Sequence, residues 1–445
     1  MEINPLSPTR TKLSKKETPI SKQKSLISKQ KNGKKLGIYA FNSATLEPRG
    51  FWMSENDFYE AKKRQLENRL KSYQLKELSA VLIQSLPEYN IKKNGAKTLT
   101  RVWHCGKTPI TKSTLLIDYV RGQKGKNYFA GLQHCASYWL CPVCAYKIAE
   151  ERAHEILTQV EIYKSEGKII GFITLTFPHY QHENLKENIK FLVKSFDYCR
   201  THRKVKSICK PKYVRSLETT YGQNGHHPHL HNIMIFETKE QFEQYSEAFK
   251  NIWMQSIINA GKSNKYIEKR SFDSVTWDGK VKSISEYLTK FNNLPEEKRN
   301  IIEYDKKKYS IAQEMTKGQM KKSNTGYTPF QILFSIINGE KWQFNKDQTE
   351  VYKEYARDIK GHRMIQASKK FYPENHKQKK EEDIVKDDTI DFIIYSIGIL
   401  LWKQIIAKNL ISDIIPAYDF GGLPAVISVL ENNNIKFTKS QRLFF

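Results

Sequence analysis

The segment Gly225-His226-His227-Pro228-His229-Leu230-His231, running directly into Asn232-Ile233-Met234-Ile235-Phe236, constrains this chain more than any other. Its second half is an apolar, β-forming run. Side chains along a strand alternate between two faces, so His229 and His231 point the same way, close enough to share one cation. Leu230 and Met234 then face a core on the other side. Two imidazoles leave a divalent ion short of ligands, and a carboxylate is expected nearby. Glu218 is the candidate. It closes a second predicted strand, Lys212 to Thr220, and a Gly/Asn turn from Gly222 to Gly225 folds it back beside His229. A connection this short admits only antiparallel pairing. A His-X-His pair with a carboxylate is a mixed imidazole and oxygen set that suits Mn2+ or Mg2+ and also admits Zn2+ or Fe2+.

The surrounding pattern predicts an α+β domain. Lys168 to Phe177 is β-branched and aromatic, as strands are. Amphipathic helices are expected over Leu185 to His202, Lys239 to Ala260 and Ile284 to Phe291. Upstream, Leu66, Leu70, Leu75, Leu78, Val81 and Leu82 recur at near-helical spacing between Asn56 and Leu86. Residues 1–36 are rich in Lys, Ser and Gln and read as a disordered basic arm or a solvated tail. The expected organisation is this arm, a helical region 37–98, a cysteine-bearing element and helix 99–165, the histidine domain with its extension 166–370, a charged linker 371–389, and a small helical C-terminal module 390–445. Over 445 residues, two or three domains are expected.

Lys and Arg outnumber Asp and Glu by 74 to 47, which calls for a polyanionic partner, most simply nucleic acid. The most apolar stretch, Phe392 to Trp402, is shorter than the roughly 20 residues a bilayer needs. The Lys-rich N-terminus has no apolar signal region, so a cytoplasmic protein with no membrane partner is expected. Six cysteines in such a chain favour thiols or metal ligands over disulfides. Cys105, Cys135, Cys141 and Cys144 include a C-x2-C pair with Pro142 in the turn, and four thiolates form a structural Zn2+ site. His104 or His134 is an alternative for one of them. Cys199 and Cys209 read as ordinary residues. The basic face of the helix after Cys144, with Lys147, Arg152 and His154, is a candidate DNA contact or simply solvated.

Three segments in this order resemble the three motifs of the HUH endonucleases: Phe172-Ile173-Thr174-Leu175-Thr176-Phe177, His227 to His231, and Tyr287-Leu288-Thr289-Lys290. More narrowly the chain resembles the rolling-circle replication initiators of Gram-positive-type plasmids. Further matching features are the Cys141-Pro142-Val143-Cys144 element, Glu218, Thr325-Gly326-Tyr327-Thr328-Pro329-Phe330, Tyr355-Ala356 and Gly361-His362-Arg363. The resemblance spans roughly residues 100 to 370. It implies a central antiparallel sheet of about five strands, catalytic Mg2+ or Mn2+ on His229, His231 and Glu218, and site-specific nicking of one DNA strand at a plasmid or phage origin.

By the same resemblance Tyr287 is the nucleophile, forming a 5′-phosphotyrosyl enzyme and freeing a 3′-OH for extension. A phenol with a pKa near 10 needs help to attack at neutral pH. Lys290, three residues on, shares its helical face and offsets developing charge. Some relatives carry a glutamate four residues before the tyrosine; here that position is Ser283, and the neighbouring Glu286 points about 100° away around the helix. Thr174 and Thr176 are candidates for the site or the DNA backbone, with plain strand residues as the alternative.

The implied partners are single-stranded, cruciform or supercoiled origin DNA and a bacterial host helicase and polymerase, and a homodimer is admitted. Three alternatives stand beside this. A relaxase or transposase shares the chemistry, but relaxases usually place the tyrosine before the histidines and such transposases are much shorter. A zinc-containing DNA-binding regulator would need neither Tyr287 nor the histidines. An Fe2+ oxygenase seldom has its two histidines two residues apart.

Overall fold

The computed structural model describes residues 38–41, 48–51, 55–92, 94–122, 127–262, 271–277, 315–316, 326–387 and 389–435. The chain divides into two compact units, Met1–Asn68 and Arg69–Phe445. In the first, β1 (Ile38–Phe41) and β2 (Pro48–Phe51) pair antiparallel, Ile38 opposite Phe51, adding strands to a region expected to be helical. The division falls within helix α1 (Glu55–Gln84). On its last turns Ala80 and Ile83 are buried, whereas Val81, counted in the expected stripe, is exposed.

The larger unit carries the expected α+β architecture. Five strands, β5 (Ile169–Leu175), β6 (Lys212–Gly222), β7 (Gly225–Phe236), β8 (Phe272–Trp277) and β9 (Ile365–Ala367), form one sheet in the order β8-β5-β7-β6-β9. Every neighbouring pair is antiparallel. Gln223 and Asn224 alone connect the ladder of β6 to that of β7, whose last pair is Gly222 opposite Gly225. Gly225 has φ +88°, backbone that a glycine adopts without strain, and an added Cβ would lie 3.0 Å from the Cα of Gln181.

The two faces of this sheet are covered differently. Leu175, Leu217, Leu230 and Met234 pack against α3 (Leu185–Thr201) and α4 (Lys239–Asn259), through Ile189, Leu192, Phe196, Phe249 and Trp253. On the other face α2 (Pro142–Ser165) lays Ala153, Ile156, Val160 and Tyr163 over Ile170, Phe172, Val214, Ile233 and Ile235. That helix covers the half of the face where β5 begins and β7 ends. Toward the hairpin the same face carries polar side chains instead.

Residues 371–387, read from sequence as a charged linker, instead pack along α2. Tyr163 donates to the carbonyl of Phe371, Arg152 to that of Lys379, and Lys147 to that of Val385. These contacts also occupy two of the three basic side chains that were candidates for DNA. Beyond them β10 (Ile390–Gly398) adds a strand to a segment expected to be helical, pairing with β3 (Leu116–Gly122), which in turn pairs with β4 (Asn127–Phe129). Helices α7 (Ile399–Ala407) and α8 (Ile411–Asn432) close over this sheet, burying Leu401, Trp402, Ile414, Ile415, Val426 and Leu430 with Tyr119 and Tyr395. Against the expectation of no such run, α8 has the length and apolar composition of a membrane span. Its backbone is broken at Gly422 between Pro416 and Pro424.

Gly171 in the middle of β5 has no room for a side chain: a Cβ there would lie 2.6 Å from the Phe242 ring and 2.9 Å from that of Phe236. Gly171→Ala is therefore expected to lower stability by about 1–3 kcal/mol through overpacking, read as a lower urea midpoint. An unchanged midpoint would mean that α4 sits more loosely on the sheet than described.

Candidate metal centre and cysteine cluster

The hairpin register sets His229 directly across from Glu218, with Ser216 opposite His231. Residues paired across an antiparallel ladder share a face, so one sheet face presents Glu218, His229 and His231 together. The Nε2 atoms of both histidines converge on one oxygen, Oε2 of Glu218, at 3.4 Å from His229 and 3.2 Å from His231. Donors each about 2.1 Å from a shared ion stand roughly 3.0–3.4 Å apart at octahedral or tetrahedral angles. The three groups therefore fit one divalent cation and can hold it.

Neighbouring strands fix the rings. Thr174, opposite His231 on β5, brings its Oγ1 to 3.1 Å from His231 Nδ1. A hydroxyl can donate to or accept from this nitrogen, so the contact fixes the ring with Nε2 aimed at Glu218. Phe172 stacks on the same imidazole with centroids 5.5 Å apart. Thr176 Oγ1 lies 2.7 Å from Nε2 of His227, whose ring stands 5.6 Å from that of His229. Burial, with His229 and His179 nearby, holds His227 well below the usual imidazole range, so it stays neutral beside the carboxylate. His226 points the other way, against Tyr221, and burial pushes it down to about 3.

Asp273 was not singled out from sequence, yet it pairs with Thr174 across β8 and so shares the site face. Only sheet order reveals this, because β8 is remote in the chain and carries no motif. Tyr287, Lys290, Glu286 and Ser283 lie outside the described residues.

The four predicted cysteines also come together, and all are buried. Cys105 Sγ is 3.8 Å from that of Cys141 and 3.6 Å from that of Cys144, which is 3.7 Å from Cys135. A tetrahedron with metal–sulfur bonds of about 2.3 Å has edges of about 3.8 Å, whereas a disulfide needs about 2.05 Å. The quartet thus fits a tetrahedral metal ion. Cys141 caps α2, and Pro142 occupies its first turn.

Neither histidine replaces a cysteine. His104 Nδ1 contacts Thr108 Oγ1 at 2.8 Å. His134 lies one layer out, its Nε2 2.9 Å from Asp387 Oδ1. Burial opposes its charge, but Asp387 and the sulfurs of Cys105 and Cys144 raise it to about 11, which favours the charged form. On another side the buried Lys76 donates to the carbonyl of Cys105 at 2.7 Å. Four thiolates around a dication leave two negative charges, and Lys76 with His134 offset them.

The remaining segments that resembled family motifs act as struts. Trp139 Nε1 donates to the carbonyl of His362 at 2.7 Å, and Tyr355, on α6 (Gln348–Ile359), donates to that of Trp139 at 3.1 Å. Thr328 closes a capping box with Gln331 on α5 (Pro329–Asn338), and Tyr327 bridges to Tyr221 on β6.

Two outcomes follow from this geometry. Thr174→Val keeps the strand but removes the hydroxyl partner of His231 Nδ1, and Mn2+ affinity at the histidine centre should fall about 10- to 100-fold in calorimetric titration. Full affinity would reduce Thr174 to a strand residue. Cys141→Ser should hold one metal ion per chain fewer than wild type in elemental analysis and lower the thermal midpoint; a variant that holds as much metal as wild type would count against a four-cysteine site.

Comparison with known proteins agrees with this architecture. A family model described as Replication protein matches residues 128–394, more than half of the chain. A "Protein rep" of Staphylococcus aureus is 35% identical over 105 residues, covering 23% of this chain and 45% of that protein. A "Protein rep" of Streptomyces lividans is 28% identical over 151 residues, covering 27% and 33%. The chain thus matches less than half the length of either relative. No solved structure matches it. Because the family match covers more than half of the chain, including Cys135, Cys141, Cys144 and the whole histidine sheet, this chain belongs to the Replication protein family.

Proposed function

We propose that this protein initiates rolling-circle replication of a bacterial plasmid or phage by nicking one strand of its origin. The observation that carries the proposal is the convergence of Glu218, His229 and His231 on one face of an antiparallel sheet within a chain of the Replication protein family. Tyr287 is the nucleophile: its oxygen bonds to the scissile phosphorus, the bond from phosphorus to the 3′ oxygen breaks, and that oxygen takes up the proton the phenol gave up. The products are a 5′-phosphotyrosyl enzyme and a free 3′-OH. Reversal of the same exchange rejoins the strand without ATP, because the covalent link conserves the phosphodiester.

Glu218, His229 and His231 would hold Mg2+ or Mn2+, and Cys105, Cys135, Cys141 and Cys144 would hold a structural Zn2+. When bound, the catalytic cation supplies a Lewis acid at the scissile phosphate. His231, held through Nδ1 by Thr174, keeps its donor atom aimed at that position. Lys290 offsets charge on phosphate or phenolate, and Thr176 positions the ring of His227 beside the site. The partners are origin DNA in single-stranded, cruciform or supercoiled form and, after the nick, the host helicase and polymerase in the cytoplasm. The domain reading goes with this: residues 166–370 form the endonuclease and its extension, and residues 99–165 the zinc-bound element that braces it.

Purified protein and its Tyr287→Phe variant, incubated with Mn2+ and supercoiled or single-stranded DNA carrying the cognate origin, distinguish the outcomes. Wild type should nick and carry 5′ label onto protein, and Tyr287→Phe should do neither. A nick without any protein-linked label in wild type would leave a hydrolytic nuclease. The absence of both would favour a DNA-binding regulator.

A further inference from the structure

The loop between β5 and α3 carries an aromatic pair that the proposed chemistry does not use. Tyr180 is 48% exposed, in a turn that runs between the buried His179 and Leu185. Its ring and that of His182 are parallel within 7°, with centroids 6.0 Å apart, and both side chains are exposed. An exposed parallel pair of this kind is a flat surface with a polar edge.

The position of the loop relates this surface to the metal centre. On one side of Tyr180, His179 packs edge-on against His227 with centroids 4.6 Å apart, and His227 neighbours His229. On the other side, the backbone of Gln181 packs against Gly225, at the turn that brings His229 back to Glu218. The residues flanking Tyr180 thus both touch the hairpin that supplies the candidate ligands.

The loop is also held still. The amide of Glu183 donates to the carbonyl of Tyr180 at 3.0 Å. Lys262 binds both carboxylate oxygens of Glu183 at 2.9 Å and Asn188 Oδ1 at 3.1 Å, with its ammonium 5.1 Å from the centre of the Phe177 ring. Lys262 reaches this loop from the end of α4, so the turn is clamped from a second element. Rings presented on a braced turn lose little freedom when a ligand lands on them.

We propose that Tyr180, with His182 beside it, is a stacking platform for an unpaired nucleobase of the strand that enters the metal centre. The proposal rests on the DNA-nicking function above. Every base offers a π face, so such a platform grips single strands whatever their sequence. Holding a base next to the reacting phosphate fixes the backbone there without base-edge recognition.

The test uses the full chain and a fluorescein-labelled single-stranded oligonucleotide, with divalent cation omitted so that binding is read without cleavage. An abasic residue is moved along the oligonucleotide one position at a time. Wild type should show one position where the abasic residue weakens binding about 5- to 100-fold. Tyr180→Ala should bind the intact strand that much more weakly and be indifferent to the abasic residue at that position. Tyr180→Phe keeps the π face and should match wild type. Equal affinity in Tyr180→Ala, or an abasic penalty that persists undiminished in it, removes the platform and leaves the nicking proposal standing. If wild type fails to bind the single strand at all, the platform falls, whereas the nicking proposal falls only if the Mn2+ assay on origin DNA gives neither nick nor adduct.

Discussion

The two-residue connection between β6 and β7 is the constraint on which the rest depends. Because only Gln223 and Asn224 separate the paired ends, the register of the hairpin is fixed, and Glu218 must face His229. A slip of β7 by one residue would turn His229 and His231 to the opposite face, away from Glu218, and bring Leu230 and Met234 onto the site face. The apolar alternation of β7 opposes that slip, since those two side chains fill the core beneath α3 and α4. The metal centre is therefore a consequence of core packing on the other side of the same strands. Because β5 pairs with β7, Thr174 in turn reaches His231 and holds its ring.

The cysteine quartet has a comparable place in the other half of the large unit. It joins the segment around Cys105, the loop at Cys135 and the start of α2, which also meet in the main core through Val102, Trp139, Leu140 and Ile148. From its edge His134 reaches Asp387, and α2 carries the contacts that bind residues 371–387. A metal ion here would brace the helix that covers the lower half of the site face, coupling the cysteine cluster to the histidine sheet through α2.

Much of this was legible in the sequence, and for identifiable reasons. His229, His231 and Glu218 were visible because strand periodicity and a tight turn are local rules, and the cysteines because C-x2-C spacing is tied to tetrahedral geometry. Asp273 and Asp387 were not visible, since each meets its partner only through an arrangement of strands or segments far apart in the chain. The segment 371–387 looked like a linker because its side chains are charged. It packs through backbone carbonyls and through Phe371, which composition does not reveal. Strand β10 was hidden in the same way: its apolar run suits a helix or a strand, and only pairing with β3 decides between them.

The central claim is that Glu218, His229 and His231 jointly hold one cation on which strand cleavage depends. Electron paramagnetic resonance of a Mn2+ titration, run on wild type and Glu218→Ala, tests it most directly. One tight Mn2+ per chain is expected in wild type and none in Glu218→Ala, with the cysteine cluster still loaded in both. Equal Mn2+ binding by the two proteins would contradict it.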